Sequence, residues 1–205
     1  MEDGLAIRDN CPAVKNVSIN VFPRQGTGHG PPQPRIARYK GKEVTLTNFY
    51  GALPSYVEVE NGDLHDGRFF GDAEDLHRAD VVALAYDITK ALFPYGDAVG
   101  KEIQIDGNTY TVIGTFEKKK NTTLGGGDDD VIIPYRTYRK RYPLDDEHFV
   151  SAQSYPGMKA QAEDQIRGIL RVRRRVPFDK PDNFASAARN NSASNSVTFF
   201  PRSFC

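Results

Sequence analysis

The chain has few of the residues that build metal centres or covalent cross-links. Of its 205 residues only two are cysteine and four are histidine. Cys11 and Cys205 lie near opposite ends, form no metal-ligand spacing and give no reason to pair, so cysteine usage leaves the redox compartment open. His29, His65, His77 and His148 fall in no HExxH or HxH pattern, and each sits in a polar stretch. Net charge is also missing, because 27 Lys and Arg face 27 Asp and Glu. That balance argues against nonspecific nucleic-acid binding and a polybasic membrane patch. Long apolar runs are absent as well: the longest, Val81 to Tyr86, falls far short of the roughly 20 residues a spanning helix needs. The opening Met1-Glu2-Asp3-Gly4 has neither the basic start nor the apolar middle of a signal peptide.

What is present suits one compact domain or two small subdomains. Hydrophobic residues make up 39% and the mean hydropathy is −0.56, a wet chain with enough aromatics for a core. Composition implies a soluble mixed α/β protein.

Local patterns give an outline. Asp3 to Asn10 suits a short helix capped by Asp3 and closed by Pro12, although Leu5 and Ile7 are spaced for a strand equally well. Val17, Ile19 and Val21 alternate as in a half-buried strand, and Pro23 to Pro34 forms an exposed loop. Ile36 to Tyr39 and Glu43 to Phe49 make a hairpin about Lys40-Gly41-Lys42. Tyr56, Val57 and Val59 add a short extended run before the turn at Asn61-Gly62-Asp63. Asp72 to Arg78 fits a helical turn or two, and Val81 to Tyr86 a strand buried on both faces. Asp87 is placed to cap a helix from Ile88 to Phe93 that Pro94 ends. Asp106-Gly107 turns a hairpin between Ile103/Ile105 and Tyr110/Val112/Ile113. Lys118 to Asp130 is a polar excursion, Val131-Ile132-Ile133 a strand stopped by Pro134, and Phe149 to Tyr155 the last strand. Met158, Ala162, Ile166, Ile169 and Leu170 line one face of a final helix, with Arg171, Arg173, Arg174 and Arg175 solvated at its end beside the helix dipole. The Ser/Asn-rich tail from Ala185, ending in Phe199-Phe200-Pro201, shows no period and is expected to be disordered.

No constellation of catalytic residues emerges. Gly26-Thr27-Gly28-His29-Gly30 lacks the Lys-Ser/Thr of a phosphate loop and is followed by prolines. Asp128-Asp129-Asp130 does not alternate as calcium ligands must, and with Lys118-Lys119-Lys120 it forms a loop of complementary charge. The acids Glu58/Glu60 and Asp145/Asp146/Glu147 have no apolar pocket to separate their pKa values.

One ordered series carries more. Gly67-Arg68-Phe69-Phe70 is followed by Asp72 to Asp75, Val81-Val82-Ala83-Leu84 and Leu92-Phe93. Then come Gly100-Lys101-Glu102-Ile103, Gly107, Thr111-Val112-Ile113-Gly114 and Val131-Ile132-Ile133-Pro134. In order and spacing this resembles the periplasmic core domain of MacB-type ABC transporter permeases, the MacB/FtsX-like family, over about residues 3 to 178. Cys11 to Ser18 and Tyr56 to Gly62 fit the same flow. The residues themselves suit a fold rather than an active site. Gly67 and Gly100 take conformations other residues resist, and Arg68 and Lys101 tie down loops. Phe70, Val82, Leu84, Leu92, Phe93, Ile103, Ile105, Tyr110, Val112 and Ile113 form a small core.

The resemblance implies an α+β fold. A porter-like α/β subdomain comes from both chain ends, residues 1–60 and 135–180, with an inserted, mostly β, sabre-like subdomain at 61–134. It implies an extracytoplasmic domain of an inner-membrane permease that passes ATP-driven motion to a periplasmic partner or cargo and catalyses nothing. No catalytic, cofactor or metal residue belongs to this chain, and ATP is bound by a separate domain. Expected partners are a second permease copy, the ATPase and a periplasmic adaptor, with no nucleic acid; the isolated domain is expected to be monomeric. The chain departs from the family by beginning at or inside its first helix, by lacking a second membrane segment, and by its tail, which suggests a truncated or frameshifted product. Two other readings stand beside this one. The first is a secreted or periplasmic ligand-binding module using Tyr135, Tyr138, Tyr142 and Tyr155; the second is a hydrolase using Asp87 or Asp146.

Overall fold

The computed structural model describes residues 2–23, 34–60, 62–118, 128–188 and 196–201. The loop expected at Pro23 to Pro34, the glycine cluster at 26–30, most of the 118–130 excursion, His29 and Cys205 lie outside them. In chain order the elements begin with α1 (Glu2–Asn10), β1 (Val14–Phe22), β2 (Arg35–Tyr39), β3 (Lys42–Leu46), β4 (Asn48–Ala52) and α2 (Tyr56–Glu60). Next are β5 (Leu64–Gly67), α3 (Asp72–Leu76), β6 (Val81–Leu84), α4 (Tyr86–Leu92), β7 (Glu102–Ile105) and β8 (Asn108–Phe116). The chain closes with β9 (Asp130–Pro134), α5 (Tyr135–Arg141), β10 (Glu147–Ser154), α6 (Lys159–Arg173), β11 (Phe184–Ala188) and β12 (Ser196–Pro201).

These elements gather into two compact units, one of residues 1–20, 55–61 and 148–205, the other of 21–54 and 62–147. The second unit therefore holds residues 21–54 and 135–147, which the expected boundaries give to the chain-end part. The reason is strand pairing that no local pattern announces: β4 pairs in parallel with β9, and β2 pairs with β7.

In the first unit, β12 lies between β10 and β11, antiparallel to both. Val150 faces Phe199 and Ser151 faces Thr198, whose hydroxyls are 3.2 Å apart. The tail expected to be disordered thus supplies two strands. Among its Ser and Asn, Val197 and Phe199 alternate inward and are buried with Phe184, a period of two that is easily lost in polar composition. α6 buries Ala162, Ile166 and Leu170, one residue per turn. Its terminal arginines do more than meet the helix dipole. Arg171 donates to Asp182 and to the carbonyls of Pro177, Phe178 and Lys180, while Arg173 and Arg174 hold the Asp3 carboxylate. Those pairs outweigh the desolvation of Asp3 and keep its carboxyl below the ordinary range. Asp3 therefore sits inside the first turn of α1, as an ion-pair partner rather than a cap. Tyr56 and Val59, expected in a strand, are three apart and bury one face of α2 instead. β1 is more deeply set than a half-buried strand, because Ser18 and Asn20 are buried too and bond to each other at 3.0 Å.

In the second unit the strands run β4-β9-β6-β8-β7-β2-β3, with β5 added to β8. The expected strand Glu43 to Phe49 divides into β3 and β4, which go to different neighbours. Val82, Ala83 and Leu84 have no exposed surface, as a strand covered on both faces requires. The β7–β8 hairpin turns on Asp106 (φ 50°) and Gly107 (φ 78°), and the β2–β3 hairpin on Lys40 (φ 45°) and Gly41 (φ 81°). Asp87 occupies the first turn of α4 and leaves the cap to Ala85.

Candidate functional site

Part of the ordered series meets at one backbone crossing in the second unit. Gly67 at the end of β5 faces Gly114 in β8, and the Arg68 N–H donates to the Ile113 carbonyl at 2.9 Å. The two segments touch where neither residue has a side chain. A Cβ on Gly67, whose φ is +74°, would lie 2.2 Å from the Ile113 oxygen, and a Cβ on Gly114 2.2 Å from the Arg68 oxygen.

Around this crossing the side chains lock the loop. Phe70 is buried and stacks on Phe69 at 3.9 Å between ring centroids. Arg68 makes a two-pronged bond to Glu74 at 2.7 and 2.8 Å, and Glu74 accepts the Gly71 N–H that opens α3. The Arg68 bonds, joined by that backbone donor, hold the Glu74 carboxyl below its ordinary range. Gly100 (φ +81°) donates its N–H to Val112. Lys101 ties this loop through its backbone, with its N–H on Ala98 and its carbonyl accepting from Val112, while its side chain stays exposed. Leu92 and Phe93 plug the core, and Val112 is fully buried, whereas Ile113 is partly exposed.

Pro134 starts α5 but carries no side-chain acceptor for its free N–H groups. The buried Asp75 of α3 fills that role across the fold, accepting the Arg136 N–H at 2.8 Å. Burial outweighs this bond and raises the Asp75 carboxyl above its ordinary value. A raised folded value means the folded state keeps its proton longer, so ionising Asp75 subtracts stability as pH rises through and above the unfolded value of about 3.9. Asp75→Asn keeps an acceptor without the charge. In urea unfolding its stability should gain on the wild type between pH 3 and pH 6; a gain for the wild type instead would show that the Arg136 pairing dominates. Asp75→Ala should lose about 1–2 kcal/mol, as cap deletions do.

The other expected sites disperse. Of the four tyrosines expected to form a binding face, Tyr135 and Tyr138 are buried in α5, Tyr142 is partly buried and Tyr155 is exposed, so the first three pack instead. Asp87 and Asp146 are both exposed, so neither lies in the apolar pocket that would shift a carboxylate towards acid or base work. His65 and His77 are exposed, and among the described residues no group of three His, Cys, Asp or Glu could hold a metal. Cys11 is buried, with its thiol pushed up by desolvation.

A second cluster was not foreseen from the sequence. The Arg35 guanidinium lies 3.9 Å from the Tyr142 ring centroid, pairs with Asp106 at 2.9 Å and also pairs with Asp145. Tyr138 donates its hydroxyl to Asp145 at 2.8 Å. Its one sequence signal is Tyr138 and Tyr142 at helical spacing; Arg35 and the two acids are separated by 71 and 110 positions.

Both clusters tie backbone segments of the second unit together through hydrogen bonds, ion pairs and ring contacts. Residues 1–169 match the MacB-like periplasmic core domain, and the chain belongs to that family. Among curated relatives it is similar to the macrolide export ATP-binding/permease protein MacB of Nitrosomonas europaea. The two are 33% identical over 117 residues, covering 55% of this chain and 18% of the relative. The protein of the same name from Wolinella succinogenes is 35% identical over 98 residues, covering 47% and 15%. The chain thus spans less than a fifth of either relative's length. In structure it is similar to the periplasmic region of MacB from Actinobacillus actinomycetemcomitans (TM-score 0.66, 18% identity, 83% of this chain and 72% of that one). It is also similar to the extracellular domain of the noncanonic ABC-type transporter YknZ from Gram-positive bacteria (TM-score 0.65, 19% identity, 84% and 82%). The expected mixed α/β fold of an ABC transporter permease domain is the one observed. No helix among the described residues is long and apolar enough to cross a membrane.

Proposed function

We propose that this chain is the extracytoplasmic lever of an ABC-type exporter, carrying ATP-driven motion from a membrane-embedded permease to a periplasmic adaptor or cargo and performing no chemistry itself. The observation that carries this reading is the match to the MacB-like core domain over residues 1–169. The Gly67–Gly114 crossing supports it, because a part that transmits displacement must not absorb it, and a backbone contact without side chains has little room to give. In this reading the two units are the porter-like and sabre-like parts, ATP binds to a separate domain, and the working assembly contains two permease copies. The isolated chain is monomeric, since membrane and ATPase parts hold that pair together. Macrolides are the first cargo to test, given the relatives' names.

The test uses the full permease that contains this chain, reconstituted with its ATPase. Removing residues 1–201, which include the strands β11 and β12, should leave ATP hydrolysis measurable and abolish export. Undiminished export without the domain would refute the lever.

A further inference from the structure

Outside the motif cluster, the second unit has an open groove of about 570 Å³ between the β2–β3 turn and the start of β7. Lys40, Lys42 and Lys101 converge on it, and it lies entirely within residues 38–104. The arginine on its wall, Arg38, is already neutralised by Glu43 at 2.7 Å. The three ammonium groups have no carboxylate partner among the described residues. Lys42 reaches only the Leu92 carbonyl, at 3.4 Å, and Lys40 hovers 5.5 Å from the Tyr39 ring. Against these three charges the groove sets one acid, Glu102. A chain of zero net charge therefore carries a local excess of two positive charges, facing one concavity.

The backbone at the groove is bare as well. Gly41 and Gly100 both have φ +81° and nothing within 4 Å of where a Cβ would be, so a ligand can approach the main chain there. Tyr39, packed on Phe93 at 4.3 Å, gives a firm apolar wall beside the charges. A volume in the range of small-molecule sites, three exposed ammonium donors and one aromatic wall suit an anion on an organic stem. Lysines act on phosphoryl oxygens as point charges and tolerate an open, wet geometry.

We infer that this groove binds a phosphoester group, its three lysines surrounding the phosphoryl oxygens and Tyr39 supporting the attached carbon chain. The phosphoester comes either from a lipid headgroup or from a free small molecule.

The experiment uses the 205-residue chain in two arms. In the first, glycerol phosphate is titrated at low salt while amide resonances are followed. Those of Gly41, Gly100 and Lys101 should move together with a Kd of about 1 mM, the weak affinity expected of exposed charge pairs. Replacing Lys40, Lys42 and Lys101 together by alanine should weaken this at least tenfold, and Glu102→Gln should tighten it about twofold. In the second arm, phosphatidylglycerol vesicles are compared with phosphatidylcholine vesicles by sedimentation. Selective capture by phosphatidylglycerol, lost in the triple variant, assigns the headgroup; capture by neither, with the first arm positive, assigns a free phosphoester. All three lysines are exposed, so the triple variant should melt with the wild type. Unmoved glycine amides, or equal binding by a triple variant that melts normally, would overturn the site.

Discussion

Substituting alanine at Gly114 should lower the melting temperature by about 6–12 °C, corresponding to roughly 3 kcal/mol for a chain of this size. The whole cost is steric. Its Cβ would lie 2.2 Å from the Arg68 oxygen and 2.9 Å from the Arg68 carbonyl carbon, and a backbone tied to β8 by the Arg68–Ile113 hydrogen bond cannot step aside as a flexible side chain would. Gly67→Ala should cost more, because it meets the Ile113 oxygen at the same 2.2 Å and also forces a side chain to a φ of +74°. Gly100→Ala isolates the second effect: φ is +81°, but nothing lies within 4 Å, so about 1–2 kcal/mol is expected. The order Gly67, Gly114, Gly100 follows from geometry alone. The double variant at 67 and 114 should cost less than the sum, since both intrude on one contact. Thermal melts followed by circular dichroism measure all four. A Gly100 variant as damaged as the Gly114 variant would show that close approach is not what the glycines provide.

The same glycines show how far the fold was legible. Gly67, Gly100 and Gly107 stand out in sequence because a positive φ is a local demand, and the structure places all three there. Gly114 does not have that conformation; its reason is the chain lying across it. The turn at Asp106-Gly107 is equally local, and the hairpin expected about Lys40-Gly41-Lys42 forms on Lys40-Gly41 with Lys42 already in β3. By contrast, α2 was mistaken for a strand because five residues give little period to measure, and Tyr56 and Val59 bury a helical face. β11 and β12 were missed because their polar residues masked an alternation of two apolar side chains, and because β12 is defined by its pairing with β10 rather than by its own composition. The unit boundaries depend on the parallel β4–β9 register, in which Asn48 meets Asp130. A pairing across that separation leaves no mark within either segment.

Arg35 is the furthest case, and its replacement should have the largest effect of any single charge. The side chain is 16% exposed, and so is that of its partner Asp145. Arg35→Ala removes the counter-ion of Asp145, the stacking partner of Tyr142 and a strap to the Asp106 turn at once, so about 3 kcal/mol should be lost. Tyr138 can still donate to Asp145, and desolvation holds its phenol well above the ordinary tyrosine range, so it remains a neutral donor that cannot replace the missing charge. Arg35→Lys should recover less than half of the loss. An ammonium group can pair with one acid at a time, and it lacks the flat face that lies 3.9 Å from the Tyr142 ring. A double-mutant cycle separates the partners. Coupling to Asp145 should exceed coupling to Asp106, whose side chain is 33% exposed and better screened by water. If Arg35→Lys unfolds in urea at the wild-type midpoint, the cluster is a simple charge pair; a clear deficit shows that planar stacking on Tyr142 and the two-acid fork together hold β2, the β7–β8 turn and the segment after α5 in one arrangement.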